Sequence, residues 1–229
     1  MDDKMMEKIN KGREYRDLQI NISEVTDGEK EYRVEGYAST YDDVYTLYTM
    51  KYDDGYTVSV QEKVERHAFD NADMSDVIMQ YDHQGRVFAR MSNGTLNLNK
   101  NDERGLYIDA YLGGTEIGRQ LYEEIKGGYT RKMSFGFTVS GDTFEQTQAT
   151  KEGEVWLRTI TGVSKVYDVS AVSLPANDYT SISARNYCDG VIAEIESERT
   201  RKAQEAEELR LKEEKRNALE LRIKALRKE

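Results

Sequence analysis

Ser134 lies in a stretch whose residue types could support nucleophilic catalysis. Met133, Phe135 and Phe137 alternate with Ser134 and Gly136, a pattern that predicts a strand with one apolar face. The serine hydroxyl would then be held on a strand whose opposite face is fixed to the core. A serine becomes a good nucleophile only when a base takes its proton. Alone, the pattern is more typical of an amphipathic strand with an ordinary solvent-facing serine.

The chain has two histidines that could act as the base. His83 follows the apolar run 77–79 and precedes Gln84 and Gly85, so it lies at a predicted strand end, where side chains are often presented for function. His67 lies at the start of a predicted short helix, and we expect a surface or capping role for it. A structural role is the commoner one for either histidine taken alone.

Asp168 is the third residue that could take part in this chemistry. It lies in the predicted strand 165–172, between Tyr167 and Val169. A carboxylate in an otherwise apolar strand is destabilising unless it has a partner. An imidazole N–H would be such a partner and would orient a histidine base. A backbone amide or an arginine would also satisfy the carboxylate.

The elements that must position these residues are mostly strands. Alternating and β-branched patterns between turn signals predict them in the segments 18–22, 32–38, two short runs within 41–60, 77–79, 87–91, 95–98, 106–112, 130–137, 154–160 and 165–172. A short helix is expected around 71–76 and a longer one over 115–126, which Gly127 and Gly128 end. A polar loop over 141–153 is expected to join the serine strand to its hairpin partner.

The segment 191–229 has a different character. It has no glycine or proline and carries 10 acidic and 11 basic residues, so its net charge is +1 whereas residues 1–190 carry −11. This composition predicts a long charged helix. Its apolar stripe is short, so the helix is expected either to be solvated or to pack against a partner. The predicted organisation is a flexible segment 1–15, a barrel domain 16–188 and a helical tail 189–229.

Composition excludes several classes of site and partner. The net charge of −10 argues against a general affinity for nucleic acid or anionic membranes. The single Cys188 excludes an internal disulfide, and with two histidines it cannot supply a four-ligand zinc site. No cofactor or metal is expected. With no signal peptide and no apolar run of membrane-spanning length, we expect a soluble cytosolic chain.

Six motifs occur in the order found in a known protein family. They are Val34-Glu35-Gly36-Tyr37-Ala38, Glu65-Arg66-His67-Ala68-Phe69, Tyr81-Asp82-His83, Gly105-Leu106-Tyr107-Ile108-Asp109-Ala110, Met133-Ser134-Phe135-Gly136-Phe137 and Asp168-Val169-Ser170-Ala171-Val172-Ser173-Leu174-Pro175-Ala176-Asn177. Over residues 16–185 the chain resembles the prohead maturation proteases of tailed bacteriophages, which are similar to herpesvirus assemblins.

The resemblance implies Ser134 as nucleophile, His83 as base and Asp168 as the third member of a triad. The family commonly has glycine at the position of His67, which supports a non-catalytic role there. The family's acid often follows the histidine, whereas here Asp82 precedes His83, so Asp168 is the better third member. The implied fold is α+β and mainly β: a closed antiparallel β-barrel of the assemblin type with peripheral helices, to which this chain adds a C-terminal charged helix.

The resemblance also implies a function inside the immature capsid. The chain would be a serine endopeptidase that cuts the scaffold protein or the scaffolding segment of the major capsid protein, and its own tail. It would act in the assembling prohead in the bacterial host cytoplasm, encoded by a phage or a prophage, as a homodimer or larger assembly. The backbone N–H groups near Ala176 and Asn177 would stabilise the oxyanion.

Two other interpretations stay open. The chain could be a non-enzymatic capsid or scaffold assembly protein, with a β-barrel, a helical arm and triad-like residues that serve packing. It could also be a protease that is inactive until it dimerises or is packaged. Side chains of His83 and Ser134 that lie more than about 6 Å apart would count against the protease interpretation.

Overall fold

The computed structural model describes residues 13–18, 23–24 and 32–172, together with most of 193–216. Contacts divide the chain into two compact units, Asp2–Cys188 and Asp189–Glu229, the latter with Met1. Each unit is described by itself. The boundaries predicted at 15 and 188 between a flexible segment, a barrel domain and a tail stay predictions.

The first unit is built mainly from strands. In chain order the described ones are β1 (Glu14–Leu18), β2 (Ser23–Glu24), β3 (Arg33–Thr40), β4 (Tyr45–Lys51), β5 (Thr57–Val64), β6 (Ile78–Tyr81), β7 (Gln84–Arg90), β8 (Leu96–Asn99), β9 (Gly105–Tyr111), β10 (Lys132–Ala149) and β11 (Gly153–Val172). One α-helix, α1 (Glu116–Lys126), and a 3-10 turn at Met91–Asn93 accompany them. The prediction of a mainly β fold with few helices is confirmed.

The strands form two sheets. The seven-stranded sheet has the order β1-β10-β11-β5-β4, and β11 also pairs with β6, which pairs with β7. The four-stranded sheet has the order β2-β3-β9-β8. Among the described strands no ladder joins the two edges of either sheet, so the predicted closed barrel is not found and both sheets are open.

Strand β11 is the reason the larger sheet is not purely antiparallel. It pairs antiparallel with β10 on one side. On its other side it pairs parallel first with β5, over Gly153–Ile160, and then with β6, over Asp168–Ala171. Twenty residues are long enough to serve two partners in succession. The sheet is therefore mixed, which corrects the expectation of an antiparallel barrel.

The hairpin of β10 and β11 also departs from the prediction. The segment expected to be a polar loop over 141–153 is mostly strand, because β10 continues to Ala149 and pairs with β11 as far as Glu154. Cross-strand pairing and the stacking of Phe144 on Trp156, with ring centroids 5.1 Å apart, favour strand over the polar composition. The two strands predicted at 154–160 and 165–172 are one continuous strand.

The two predicted helices have different outcomes. The helix expected over 115–126 is α1, capped by the Thr115 hydroxyl, which accepts a hydrogen bond from the Gly118 N–H. The helix expected at 71–76 is wrong, since this segment is a series of turns. The Asp73 N–H donates to the Ser164 carbonyl at 2.9 Å, so its backbone bonds to β11 instead of to a helix.

The core of the first unit lies between the sheets and α1. Its fully buried members include residues from both sheets, among them Val34, Met79, Ile108, Phe135 and Val169. The serine strand therefore has the apolar support that its alternation predicts.

The second unit is helical in its described part, with an unbroken stretch at 207–216 that we call α2. Ion pairs one helical turn apart join Arg210 to Glu207 at 2.8 Å and to Glu214 at 4.0 Å. The predicted charged C-terminal helix is confirmed for these residues. No helix among the described residues is long and apolar enough to cross a membrane.

Candidate active site

Strand β10 presents Ser134 on a rigid support. Met133, Phe135 and Phe137 on its other face are fully buried, and the rings of Phe135 and Phe137 stack with centroids 4.4 Å apart. Ser134 itself is also fully buried. The sequence predicts the alternation correctly, whereas the solvent-facing position that an amphipathic strand suggests for the serine is wrong.

His83 lies in the two-residue turn between β6 and β7. Tyr81 and Gln84 pair across this hairpin, and Asp82 and His83 between them both have left-handed backbone angles, with φ of 48° and 58°. Two successive positive φ values define the tight hairpin turn in which asparagine and glycine are preferred. A histidine in this conformation is strained by about 1 kcal/mol or more, and its side chain is fixed relative to the hairpin.

Pairing of three neighbouring strands brings the candidate residues together. In the ladder between β10 and β11, Asp168 is opposite Gly136 and Ser170 is opposite Ser134. Strand β6 runs parallel to β11 with Ala171 beside Tyr81, and the Asp82 N–H donates to the Ala171 carbonyl at 3.0 Å. These contacts place the turn that carries His83 next to the two strands that carry the serine and the aspartate.

The three side chains predicted from the sequence are in direct contact. His83 Nε2 lies 2.6 Å from Ser134 Oγ, and His83 Nδ1 lies 2.5 Å from Asp168 Oδ1. The Asp168 side chain is 1% exposed and that of His83 is 15% exposed. The distance of 2.6 Å is well below the 6 Å that would have counted against a serine–histidine pair. This arrangement can transfer the hydroxyl proton through the imidazole while a buried carboxylate orients the ring.

Ser170 is a member of this site that the sequence reasoning missed. Its hydroxyl donates to Asp168 Oδ1 at 2.9 Å, so the carboxylate oxygen that contacts His83 has a second donor. Asp168 Oδ2 is buried and has no hydrogen-bond partner within the described part of the chain. Residues two apart on a strand share a face, so the spacing of Ser170 from Asp168 could have suggested this contact.

A second contact of the serine was also not foreseen. Ser134 Oγ donates a hydrogen bond to the main-chain carbonyl of Arg16 at 2.9 Å. Arg16 is in β1, which pairs antiparallel with β10 so that Asp17 is opposite Ser134. The prediction placed the first strand at 18–22, four residues later than β1 begins.

The side chain of Arg16 belongs to a buried charge cluster of Glu14, Arg16, Glu62, Asp142 and Arg158. Their side chains are each at most 5% exposed. Arg16 bonds Glu62 at 2.5 and 2.9 Å and also contacts Glu14. Arg158 bonds Glu14 at 2.7 Å, Glu62 at 3.0 Å and Asp142 at 2.6 Å. Charges buried in this way are stable only because each is paired and hydrogen-bonded.

The cluster shifts the ionisation of its members. Burial alone would raise the pKa of the Glu14 carboxyl, but the charges of Arg16 and Arg158 outweigh it and lower this pKa to about 2. The pKa of Arg16 is raised, because Glu62 and Glu14 outweigh the opposing effect of burial. Burial first, and then the Glu62 charge, raise the pKa of Tyr45, whose hydroxyl donates to Glu62 at 2.6 Å.

Three further predictions from the sequence concern His67, the oxyanion donors and a metal site. His67 is 75% exposed and pairs with Asp70 at 3.1 Å, which confirms the expected surface role. Ala176 and Asn177, the expected oxyanion donors, lie outside the described residues. Over the described part of the chain no three His, Cys, Asp or Glu side chains are grouped so that they could hold a metal ion.

A cleft of about 560 Å³ opens beside the histidine turn. It lies between the β6–β7 hairpin and α1, and the residues on either side of His83, Asp82 and Gln84, line it together with Phe88, Leu121 and Glu124. The cleft is lined by both apolar and polar side chains, as is common for sites that accept a ligand.

Comparison with known proteins agrees with this geometry. The model of the family described as caudovirus prohead serine protease matches residues 16–191, which is more than half of the chain of 229 residues. No curated protein and no solved structure matches the chain. The matched range contains Ser134, His83 and Asp168. The chain therefore belongs to the caudovirus prohead serine protease family, whose members are proteases of phage capsid maturation.

Proposed function

We propose that the chain is an endopeptidase that works through an acyl-enzyme, with Ser134 as nucleophile, His83 as base and Asp168 as the orienting acid. The observation that carries the proposal is the continuous contact from Ser134 Oγ to His83 Nε2 at 2.6 Å and from His83 Nδ1 to Asp168 Oδ1 at 2.5 Å. A serine, an imidazole and a buried carboxylate in this order supply the nucleophile, the base and the orienting acid of acyl transfer.

The steps follow from the donors and acceptors of these groups. His83 Nε2 accepts the hydroxyl proton as Ser134 Oγ bonds to the carbonyl carbon of the substrate, and the carbonyl oxygen becomes an oxyanion. The protonated imidazole then gives this proton to the leaving amine nitrogen as the C–N bond breaks. Water then gives a proton to His83 as its oxygen bonds to the acyl carbon, and His83 returns this proton to Ser134 Oγ as the ester C–O bond breaks, which releases the acid and restores the serine. Asp168 Oδ1 accepts the Nδ1–H and keeps the ring oriented.

The oxyanion requires preorganised donors. The backbone N–H groups of Ala176 and Asn177 are the proposed donors, because these residues come soon after the strand that carries Asp168 in the sequence. Replacing Ala176 by proline would remove one N–H. In the co-expression experiment described below, we expect this variant to give less processed product than wild type.

The proposed substrates are the scaffold protein or the scaffolding segment of the major capsid protein, and the chain's own tail. Membership of a prohead protease family supports capsid-related substrates in a prohead that assembles in the host cytoplasm. We propose that residues 191–229 serve as a scaffold-interacting helix that self-cleavage removes, and that the chain self-associates as a homodimer or larger assembly.

The proposal is tested by co-expression with the neighbouring capsid and scaffold proteins. Wild type and Ser134→Ala are compared by mass spectrometry, with Ser140→Ala as a matched control, since Ser140 is an exposed serine on the same strand. We expect processed products with wild type and the control and none with Ser134→Ala. Equal processing with Ser134→Ala would contradict the triad. Intact masses in every case, including that of the chain itself, would favour a non-enzymatic assembly protein.

A further inference from the structure

The proposed nucleophile is covered by the chain's own first strand. Ser134 is fully buried, and the main-chain carbonyl of Arg16 lies 2.9 Å from its Oγ. A serine that attacks a peptide bond must have the substrate's carbonyl carbon within contact distance of Oγ. In this structure a peptide group of β1 lies next to Oγ, where a substrate peptide would have to lie.

The hydrogen bond to Arg16 is incompatible with the first catalytic step. A serine hydroxyl carries one hydrogen, so Ser134 can donate either to the Arg16 carbonyl or to His83 Nε2. When it donates to the carbonyl, the close contact of 2.6 Å with His83 requires Nε2 to be the donor. The base is then protonated at the nitrogen that should accept the proton. When β1 is displaced, the Ser134 hydroxyl can again donate its hydrogen bond to His83 Nε2.

Strand β1 is placed so that it can be exchanged. It has five residues and forms the edge of the seven-stranded sheet, pairing with residues 133–137 of β10. Removing it breaks no other ladder among the described strands of that sheet. An extended peptide can add to a sheet edge through the same main-chain hydrogen bonds, so the edge of β10 that β1 covers is a binding site for a peptide strand.

Charge specifies which peptide this edge accepts. Without β1, the buried charge cluster keeps Glu62, Asp142 and Arg158, which carry a net charge of −1. The arginine of β1 bonds Glu62, and the glutamate two residues before it bonds Arg158 at 2.7 and 3.0 Å. Residues two apart on a strand reach the same face. A peptide with an acidic residue two positions before an arginine reproduces both contacts.

We infer that the edge of β10 at residues 133–137 is the binding site for the substrate strand, and that β1 occupies it as an internal competitor. The inference rests on the proposed function, because it assumes that Ser134 is the nucleophile. It adds a substrate class, an extended peptide with an acidic residue two positions before an arginine, and a resting state in which the serine is inaccessible.

The first test weakens the anchor of β1 in the full chain. Glu14→Gln removes the charge that pairs with Arg158, and Glu145→Gln, at an exposed position on β10, is the matched control. The rate at which a fluorophosphonate probe modifies Ser134 is measured by mass spectrometry. We expect modification of Glu14→Gln to be about tenfold faster than that of wild type, and the control to match wild type.

The second test adds a peptide to Glu14→Gln during this reaction. The probe peptide is Arg-Glu-Tyr-Arg-Asp-Leu, the sequence of residues 13–18, and its control is Arg-Arg-Tyr-Glu-Asp-Leu, with the two charges exchanged. We expect the first peptide to slow modification of Ser134 and the second to have no effect. Equal effects of the two peptides would overturn the charge-specific binding site.

The third test uses unmodified wild type, so it remains decisive if Glu14→Gln does not fold. Hydrogen exchange of residues 14–18 is compared before and after fluorophosphonate modification of Ser134. We expect exchange at these amides to become at least about tenfold faster, since the phosphonyl group takes the space beside the Arg16 carbonyl, while residues 165–172 are unchanged. Unchanged exchange at 14–18 would overturn the inference.

The outcomes separate this inference from the proposed function. Modification of Ser134 at one rate in wild type, Glu14→Gln and the control would contradict the internal competitor and leave the nucleophile assignment intact. A serine that resists the probe in all three proteins while they stay folded would contradict the proposed function and, with it, the inference.

Discussion

At the scale of single residues, the carboxylate of Asp168 is positioned by more than the histidine it contacts. Its Oδ1 accepts from Ser170 at 2.9 Å and lies 2.5 Å from His83, and Ser170 is opposite Ser134 in the ladder between β10 and β11. A hydroxyl that holds the oxygen bonded to Nδ1 also helps to fix the direction in which the ring's other nitrogen points. We therefore regard Ser170 as a positioning residue for the proposed triad.

Ser170→Ala tests this role. We expect kcat to fall by about tenfold, which corresponds to about 1.4 kcal/mol and is typical of one hydrogen bond to a charged group. KM should be unchanged, because the Ser170 hydroxyl bonds the Asp168 carboxylate and so acts on the reaction through Asp168 and His83. The substrate for the assay is a capsid-derived peptide cut by wild type.

The matched control for Ser170→Ala is Ser164→Ala, a serine on the same strand whose hydroxyl bonds the Thr138 carbonyl at 3.1 Å. It should leave kcat unchanged. A Ser170→Ala variant with full kcat and lowered thermal stability would show that Ser170 is only structural.

At the scale of elements, the β6–β7 hairpin links backbone strain to the position of the base. Asp82 and His83 both have positive φ, and the Asp82 N–H holds the turn on β11 through the Ala171 carbonyl. The turn must therefore keep its left-handed conformation for His83 to reach Ser134 and Asp168 together.

A β-branched residue at Asp82 should break this geometry. Asp82→Val places a stiff side chain where φ is 48°, which costs about 1–3 kcal/mol, whereas Asp82→Asn keeps a residue that tolerates the conformation. We expect Asp82→Val to lose stability in urea unfolding and to lose activity through misplacement of His83. The asparagine variant should match wild type in stability. Equal stability of the two variants would show that the turn is not under this constraint.

The same elements show which parts of the site can be inferred from sequence. Asp168 is visible because a carboxylate interrupts an otherwise apolar strand, whereas Ser134 fits its alternation and is recognised only through the motif around it. The Arg16 carbonyl is not visible, because its contact depends on the register of β1 against a strand more than one hundred residues away. The closed barrel was wrong for a related reason: nothing local indicates that β11 serves two parallel partners in succession.

At the scale of the whole molecule, the first unit is mainly β and the second is helical in its described part. The acidic charge of the chain is concentrated in residues 1–190, and the segment 191–229 is almost balanced. Part of that acidic charge is buried in the cluster around Arg158 instead of lying at the surface. Stability should therefore depend on pH through buried carboxylates as well as through surface repulsion.

Glu14 provides the clearest case of such pH dependence. Its pKa is lowered from 4.5 to about 2 in the folded chain, so the folded state favours the ionised carboxylate. A carboxyl whose pKa is lowered by folding adds its full stability at any pH above its pKa in the unfolded chain. This stability is lost as the pH falls through its pKa in the folded chain. The loss should begin near pH 4.5 and continue toward pH 2. A shift of this size corresponds to roughly 3 kcal/mol.

Urea unfolding of wild type and Glu14→Gln at a series of pH values measures this contribution. At pH 7 wild type should be the more stable, because glutamine leaves Arg158 without one of its carboxylate partners. The difference should shrink as the pH is lowered toward 3, since below pH 4.5 the unfolded chain binds a proton at Glu14, whereas the folded chain does so only near pH 2. Glu145→Gln should show no such trend, because an exposed carboxylate gains little from folding. A difference between wild type and Glu14→Gln that stays constant from pH 7 to pH 3 would mean that ionisation of Glu14 does not stabilise the fold, and that the side-chain anchor of β1 is the pairing of Arg16 with Glu62.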